Sequence, residues 1–239
     1  MKRCIFCGST KANQFETKEH IVSESLGGKE ILPEGLNCDK CNRYFGKAFE
    51  KEALDSEKIK FLRALERIPS KRGRIPVAAC EKVEIFVDGN TEPKIISNSP
   101  VQGATKKLFG KGSVSFKFPP SHPGHLLRML LKIGLEYFAI EQSENIFDPQ
   151  FSKAKKVVRC PTPGWKWPLA IKTRNPDELT DHKFYRMDDY NSTIFGFSHF
   201  TIDPLIEFLI PLTDEVFGKF QLEVRRIDPK CACLNVDIL

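Results

Sequence analysis

The sequence predicts an α+β fold in two unequal parts, a small N-terminal module over residues 1–55 and a larger basic α+β domain over residues 56–239. Three observations predict it. Two close cysteine pairs frame the first forty residues, one long apolar run with helical caps occupies the middle, and short alternating apolar stretches fill the remainder. At 239 residues and 27.2 kDa the chain exceeds the commonest domain size of about 100–150 residues, consistent with one large domain or a small module joined to a larger one.

The first element after the cysteines is a helical run from Asn42 through Leu54 (NRYFGKAFEKEAL), and the module boundary is drawn at Asp55. Ser56 to Pro76 then holds seven Lys and Arg against two Glu. Ile59, Leu62, Leu65 and Ile68 recur at spacing three, a helical stripe that Pro69 and Gly73 end. KVEIFV, the turn signal Asp88-Gly89-Asn90 and PKIIS predict a hairpin, and SVSFKF a further strand. Ser121 as cap and Pro123 in the first turn open a helix through HLLRMLLKIGLEYFAIEQ, apolar nearly all round and therefore buried. KAKKVVRCPTPGWKWP reads as a basic, Pro-rich connection, and STIFGFSHFTI, PLIEFLIPL, FQLEVRRI and CACLNVDI read as strands. No internal repeat is visible.

With 41% hydrophobic residues and 19 Phe, the composition excludes disorder as the dominant state. The longest apolar stretches, Leu126–Leu131 and Leu205–Leu212, fall far short of the roughly 18 residues of a spanning helix. MKRCIFCG carries no apolar core of signal-peptide length, so the expected location is cytoplasmic. Residues 1–55 carry 9 basic and 9 acidic side chains, so the net +6 lies wholly after Asp55, among 28 basic and 22 acidic residues.

Eight cysteines in a chain of this length, without an export signal, point to metal rather than to a disulfide scaffold. Cys4 and Cys7 form one C-x-x-C and Cys38 and Cys41 another, a spacing that turns both thiolates of each pair toward one tetrahedral Zn²⁺. Four protein ligands leave no open position, so this zinc is expected to be structural.

Between and after the pairs stand Glu19-His20-Ile21-Val22, Ser25-Leu26-Gly27-Gly28 and Cys38-Asp39-Lys40-Cys41-Asn42, followed by Phe45-Gly46 and Glu50. In this order the segment resembles the HNH endonucleases, the zinc-supported branch of the ββα-metal nucleases, over roughly residues 4–50. The resemblance implies a ββα-metal module, His20 as general base, and Glu19 and Asn42 as oxygen ligands of a catalytic Mg²⁺ or Mn²⁺. The chemistry agrees. Phosphodiester hydrolysis needs a base for water, which a neutral imidazole of ordinary pKa about 6.5 supplies, and a hard cation for the phosphate charge. Adjacent strand residues point to opposite faces, so a bulge or strand end is expected at Glu19-His20, with Gly27-Gly28 turning the chain into the second strand. Two departures stand out: Glu19 where the family's commonest opening has Asp, and no clear counterpart of the middle Asn, for which Asn37 is a poor match. Glu50 is expected to be a surface or packing residue, since eight helical residues span about 12 Å.

In the larger part, Lys71-Arg72-Arg74, Lys106-Lys107-Lys111 and Lys153-Lys155-Lys156-Arg159 are candidate phosphate contacts, or alternatively solvated faces. Trp165 and Trp167 either stack on an unpaired base or pack a loop onto the core. His122 and His125, His182 and His199 read as capping or packing residues, and Cys231 and Cys233 as small core residues sharing one face of a strand. Cys80 and Cys160 have no assigned role.

The expected function is a metal-dependent endonuclease acting on DNA, with restriction or phage defence as the setting the resemblance suggests. The alternative is a non-catalytic, zinc-dependent nucleic-acid-binding module. A protein-interaction adaptor is a third, and a homodimer or an activating partner is left open.

Overall fold

A computed structural model describes residues 2–70, 72–80, 83–86, 94–97, 122–143, 145–174, 182–186 and 193–239. Lys71, Lys106, Lys107 and Lys111, the turn at Asp88-Gly89-Asn90, the strand expected at 113–118 and the Ser121 cap lie outside the described residues.

The first helix, α1, spans Asp39–Phe45 and runs through a π-helical turn, Gly46–Glu50, into α2, Lys51–Leu54. The wider turn accommodates an extra residue, and the N–H of Lys51 reaches back to the carbonyl of Gly46. Phe45 and Phe49 are both fully buried on one face, each contributing about 1.5–3 kcal/mol of burial energy. After a break at Asp55 and Ser56 comes α3, Glu57–Leu65. Strands β1 (Ala78–Cys80), β2 (Val83–Phe86) and β3 (Lys94–Ser97) form a three-stranded antiparallel sheet in which β2 and β3 pair as the expected hairpin.

Helix α4, Pro123–Glu141, is the centre of the molecule. Helix α5, Ser152–Arg159, follows, where the sequence reading had a connection. Its Ala154, Val157 and Val158 are buried at helical spacing, with Lys153, Lys155, Lys156 and Arg159 on the remaining positions, which is why basic composition alone concealed it. The remaining strands are β4 (Lys166–Thr173), β5 (His182–Arg186), β6 (Thr193–His199), β7 (Asp203–Pro211) and β8 (Ala232–Asp237). They form one antiparallel sheet in the order β5-β6-β7-β4-β8. FQLEVRRI is not a strand but a helix, α6, Phe220–Ile227. Phe220 and Val224, four apart, bury one face, and Leu222 is left exposed.

Alternation along the strands divides two cores across this sheet. Phe195, Phe197, Phe208 and Ile210 belong to the larger cluster with α4, whereas Ile194, Leu209 and Ala170 pack with Phe220 and Val224 of α6. Gly134 of α4 lies so close to the sheet that a Cβ there would meet Phe195 Cδ1 at 2.7 Å and Leu212 Cδ2 at 2.9 Å. The larger cluster continues without a break into Cys4, Ile5, Leu26, Phe45 and Phe49. Helix α4 is thus buried between the sheet and the N-terminal module. Among the described residues no helix is long and apolar enough to cross a membrane.

Candidate functional site

The Sγ atoms of Cys4, Cys7, Cys38 and Cys41 all lie within 4.8 Å of one another, and Cys7 and Cys38 approach to 3.6 Å. A tetrahedral zinc with Zn–S of about 2.3 Å needs sulfur–sulfur separations of about 3.8 Å, so the four residues fit the ion. Gly8 makes the first knuckle possible: its φ of +72° suits glycine, and its N–H closes on the Cys4 carbonyl at 2.8 Å. Cys38 is the cap residue of α1, and its carbonyl accepts from the Asn42 N–H at 2.9 Å. A hydrogen bond from Cys41 holds the Cys4 thiol down to about 5 against the opposing effect of burial, while that same contact and burial push Cys41 up. Arg159 Nε donates to Cys41 Sγ at 3.2 Å, placing a fixed positive charge beside the thiolates.

Ahead of α1, residues 19–21 and 30–32 approach antiparallel around a single bridge and form no extended strands. The N–H of Ile21 donates to the Glu30 carbonyl at 3.1 Å, the N–H of Leu32 to the Glu19 carbonyl at 2.8 Å, and His20 bridges Ile31 between them. The pairing is an isolated bridge of one residue pair, so of the two forms expected at Glu19-His20 the structure has a strand end and not a bulge. The connecting loop opens on Ser23, whose hydroxyl accepts from the Ser25 N–H, and turns at Gly27, with φ +90°. A Cβ on Gly28 would lie 1.9 Å from the Val22 carbonyl oxygen.

Glu19, His20 and Asn42 have separate partners, and no contact among the described residues joins them directly. His20 Nε2 lies 3.2 Å from Glu24 Oε1, while its Nδ1 is buried without a hydrogen-bond partner. A proton on Nε2 shared with Glu24 would leave the lone pair on the buried Nδ1.

Asn42 Nδ2 donates to Thr17 Oγ1 at 3.3 Å, and Thr17 Oγ1 donates to Asp39 Oδ1 at 2.7 Å. The same oxygen accepts the N–H groups of Glu16 and Thr17 at 3.1 and 2.9 Å. These bonds, that from the Thr17 backbone foremost, hold the Asp39 carboxyl below the usual range against the effect of burial. Using its donor on Thr17 leaves the Asn42 carbonyl oxygen available to a hard cation.

Glu19 is buried, and its Oε1 bonds Lys132 Nζ of α4. Lys132, 1% exposed, also pairs with Glu50 at 3.1 Å and Glu136 at 3.2 Å. Burial opposes the charge on Lys132, yet Glu136, Glu50 and Glu19 together hold its pKa well above the ordinary value. Burial raises Glu136, against the pull of Lys132. Glu50, expected at the surface or in packing, is therefore a partner in a buried ionic cluster. Four residues before Lys132, Arg128 donates to Tyr44 Oη at 3.0 Å and the Val158 carbonyl at 2.8 Å, and lies over the Phe49 ring. Thr17, Asp39 and Lys132 were not singled out from the sequence. The signal was present for Lys132: Arg128, Lys132 and Glu136 stand four apart in an otherwise apolar helix, a buried polar stripe. Glu19 and Thr17 also line a cavity of about 490 Å³ with Lys18, Glu16 and Asn37.

The basic cluster on α5 is largely committed internally. Lys153 pairs with Asp214 at 3.2 Å, Lys155 donates to the Ile146 carbonyl, and Arg159 bonds the cysteine site. Burial, with Arg3 nearby, brings Lys155 down to about 8. Lys156, Arg72 and Arg74 are exposed. Trp167 is fully buried, its Nε1 donating to the Pro211 carbonyl at 3.0 Å, and Trp165 packs partly buried on the same core, so Trp167 is a packing residue and not a base-stacking one. His122 and His125 sit together at the start of α4, His182 stacks on Tyr137, and His199 Nδ1 lies 2.8 Å from Thr201 Oγ1. Cys231 and Cys233 pack in the smaller core, Cys160 is exposed beside Arg159, and the Cys80 side chain lies outside the described residues.

Compared with known proteins, residues 4–57 match the family described as HNH endonuclease. No curated protein and no solved structure matches the chain.

Proposed function

With an HNH endonuclease domain at residues 4–57 as its premise, we propose that this protein is a metal-dependent endonuclease that hydrolyses phosphodiester bonds in DNA. The observation that carries the reading is His20: Glu24 engages Nε2 at 3.2 Å and leaves Nδ1 free of protein partners. In the proposed reaction Nδ1, buried and unpartnered in this structure, takes the proton of a water that enters beside the ring with the substrate, and the imidazolium so formed is stabilised by Glu24. Glu19 and Asn42 would hold a Mg²⁺ or Mn²⁺, which would supply charge neutralisation at the phosphate and the leaving 3′ oxygen. Their carboxylate and amide oxygens are hard donors, and Thr17 with Asp39 orients the amide. The cysteine-bound zinc is structural and clamps the start of α1. Arg72, Arg74 and Lys156 remain as exposed phosphate contacts, and restriction or phage defence in the cytoplasm is the setting proposed.

A second reading, a zinc-dependent nucleic-acid-binding module without catalysis, is favoured by the bond from Lys132 to Glu19, which occupies one oxygen of the expected cation ligand. Supercoiled-plasmid cleavage by zinc-loaded wild type and His20→Ala, with Mg²⁺, Mn²⁺ or EDTA, separates the two. Metal-dependent cleavage that disappears in His20→Ala supports the nuclease. Salt-dependent DNA binding without cleavage supports the second reading.

A further inference from the structure

We propose that Lys132 is a positioning residue for the cation site: its ammonium fixes the carboxylate of Glu19, so the N-terminal module acquires a competent site only against helix α4. The proposal rests on the nuclease reading above.

The argument begins with location. Lys132 is 1% exposed, and an ammonium removed from water is tolerated only when paired. Two of its three partners, Glu19 and Glu50, belong to the N-terminal module, on the strand segment and on the π-helical turn, and Glu136 lies one turn along α4. One Nζ thus ties strand to helix within the module and both to α4. Glu19 itself spans two environments: Oε1 is bonded to Lys132 in the dry seam, no bond to Oε2 is found among the described residues, and the residue also lines the 490 Å³ cavity. Lys132 thus holds one oxygen, and in this proposal the other is the cation's ligand.

A rival role for Lys132 is simple competition with the cation, and it predicts the opposite sign. Removing a competing positive charge strengthens cation binding, whereas losing a positioning residue weakens it. The test measures Mn²⁺ binding by electron paramagnetic resonance of the free ion, using full-length, zinc-loaded protein. Lys132→Met with Glu136→Gln removes the ammonium together with its neighbour on α4, whose carboxyl burial already holds toward the neutral form, so a merely competing ammonium would leave a tighter site. At least a tenfold weaker Mn²⁺ affinity is expected, with zinc content retained, while Glu136→Gln alone keeps wild-type affinity.

Where the double variant fails to fold, Lys132→Arg carries the test. It retains charge and bulk but not the compact geometry of the ammonium, and a several-fold loss of Mn²⁺ affinity is expected. Affinity equal to or tighter than wild type in either folded variant overturns the proposal while leaving the nuclease reading intact. A wild type that binds no Mn²⁺ overturns that reading, and this proposal with it.

Discussion

The carboxylate of Glu24 stands 3.2 Å from Nε2 of His20, four residues on, in the loop that opens at Ser23. A buried Nδ1 on the same ring has no protein partner, so the tautomer favoured by Glu24 is the one that leaves a lone pair on Nδ1. Glu24→Gln should therefore slow single-turnover cleavage by about tenfold, less than the roughly 10²–10⁴-fold loss expected of His20→Ala, because Glu24 is half-exposed and water substitutes for it in part. Equal rates for Glu24→Gln and wild type would remove Glu24 from the mechanism.

The positioning of Asn42 rests on Thr17 and Asp39. Thr17→Val deletes both the acceptor for Asn42 Nδ2 and the donor to Asp39 Oδ1 while preserving shape. It leaves the buried carboxylate with its two backbone donors only. A loss of about 1–3 kcal/mol is expected, seen as a melting temperature lower by roughly 2–4 °C per kcal/mol, together with weaker cleavage at limiting Mn²⁺. Retention of full activity at limiting cation would show that Asn42 needs no such brace.

Much of this site is legible in the sequence because its frame is local. The C-x-x-C spacing brings the four cysteines together as expected, whereas Glu19, His20 and Asn42, named from their order, take separate partners in the structure. What stayed hidden is what depends on distant chain. Lys132 lies 113 residues from Glu19, and its pairing follows from how α4 crosses the module. Arg159 looked like a surface cation, since a charge count does not reveal that α5 delivers it to Cys41, 118 residues away. The helix at Phe220–Ile227 read as a strand because eight mixed residues satisfy period two nearly as well as 3.6, and only the core beneath Phe220 and Val224 decides.

Cys231 gives a pH-dependent prediction away from the zinc. Burial, with Asp228 and Cys233 nearby, pushes its thiol up from 9.0 to about 11. An acidic group whose folded pKa is raised keeps its proton in the native state while the unfolded chain releases it. Its contribution to stability is therefore full below about pH 9 and declines as pH rises toward 11. Cys231→Ala should flatten the fall in melting temperature across that window. In zinc-loaded wild type at pH 8, mass-mapped alkylation should reach exposed Cys160 well before Cys231. Prompt modification of Cys231 would show that the smaller core opens readily.

The zinc site couples the module to α5 through Arg159. Four thiolates on one Zn²⁺ carry a net charge of −2, and the guanidinium donating to Cys41 at 3.2 Å offsets part of it without ligating the metal. One zinc per chain is expected. Its removal by a strong chelator should unfold the segment around Cys4, Phe45 and Phe49, because those side chains pack directly on the cysteine frame and the free energy of ligation is part of the folding free energy. Arg159→Ala leaves all four ligands in place but removes a charge-assisted bond, so zinc transfer to a chromophoric chelator should proceed on the order of 10-fold faster, at the low end of the range for outer contacts of a metal site. Arg159→Lys should recover little, because a point charge does not reproduce the directed Nε–H donor. Unchanged release from Arg159→Ala would mean that the cysteine frame holds its ion independently of the second part of the chain.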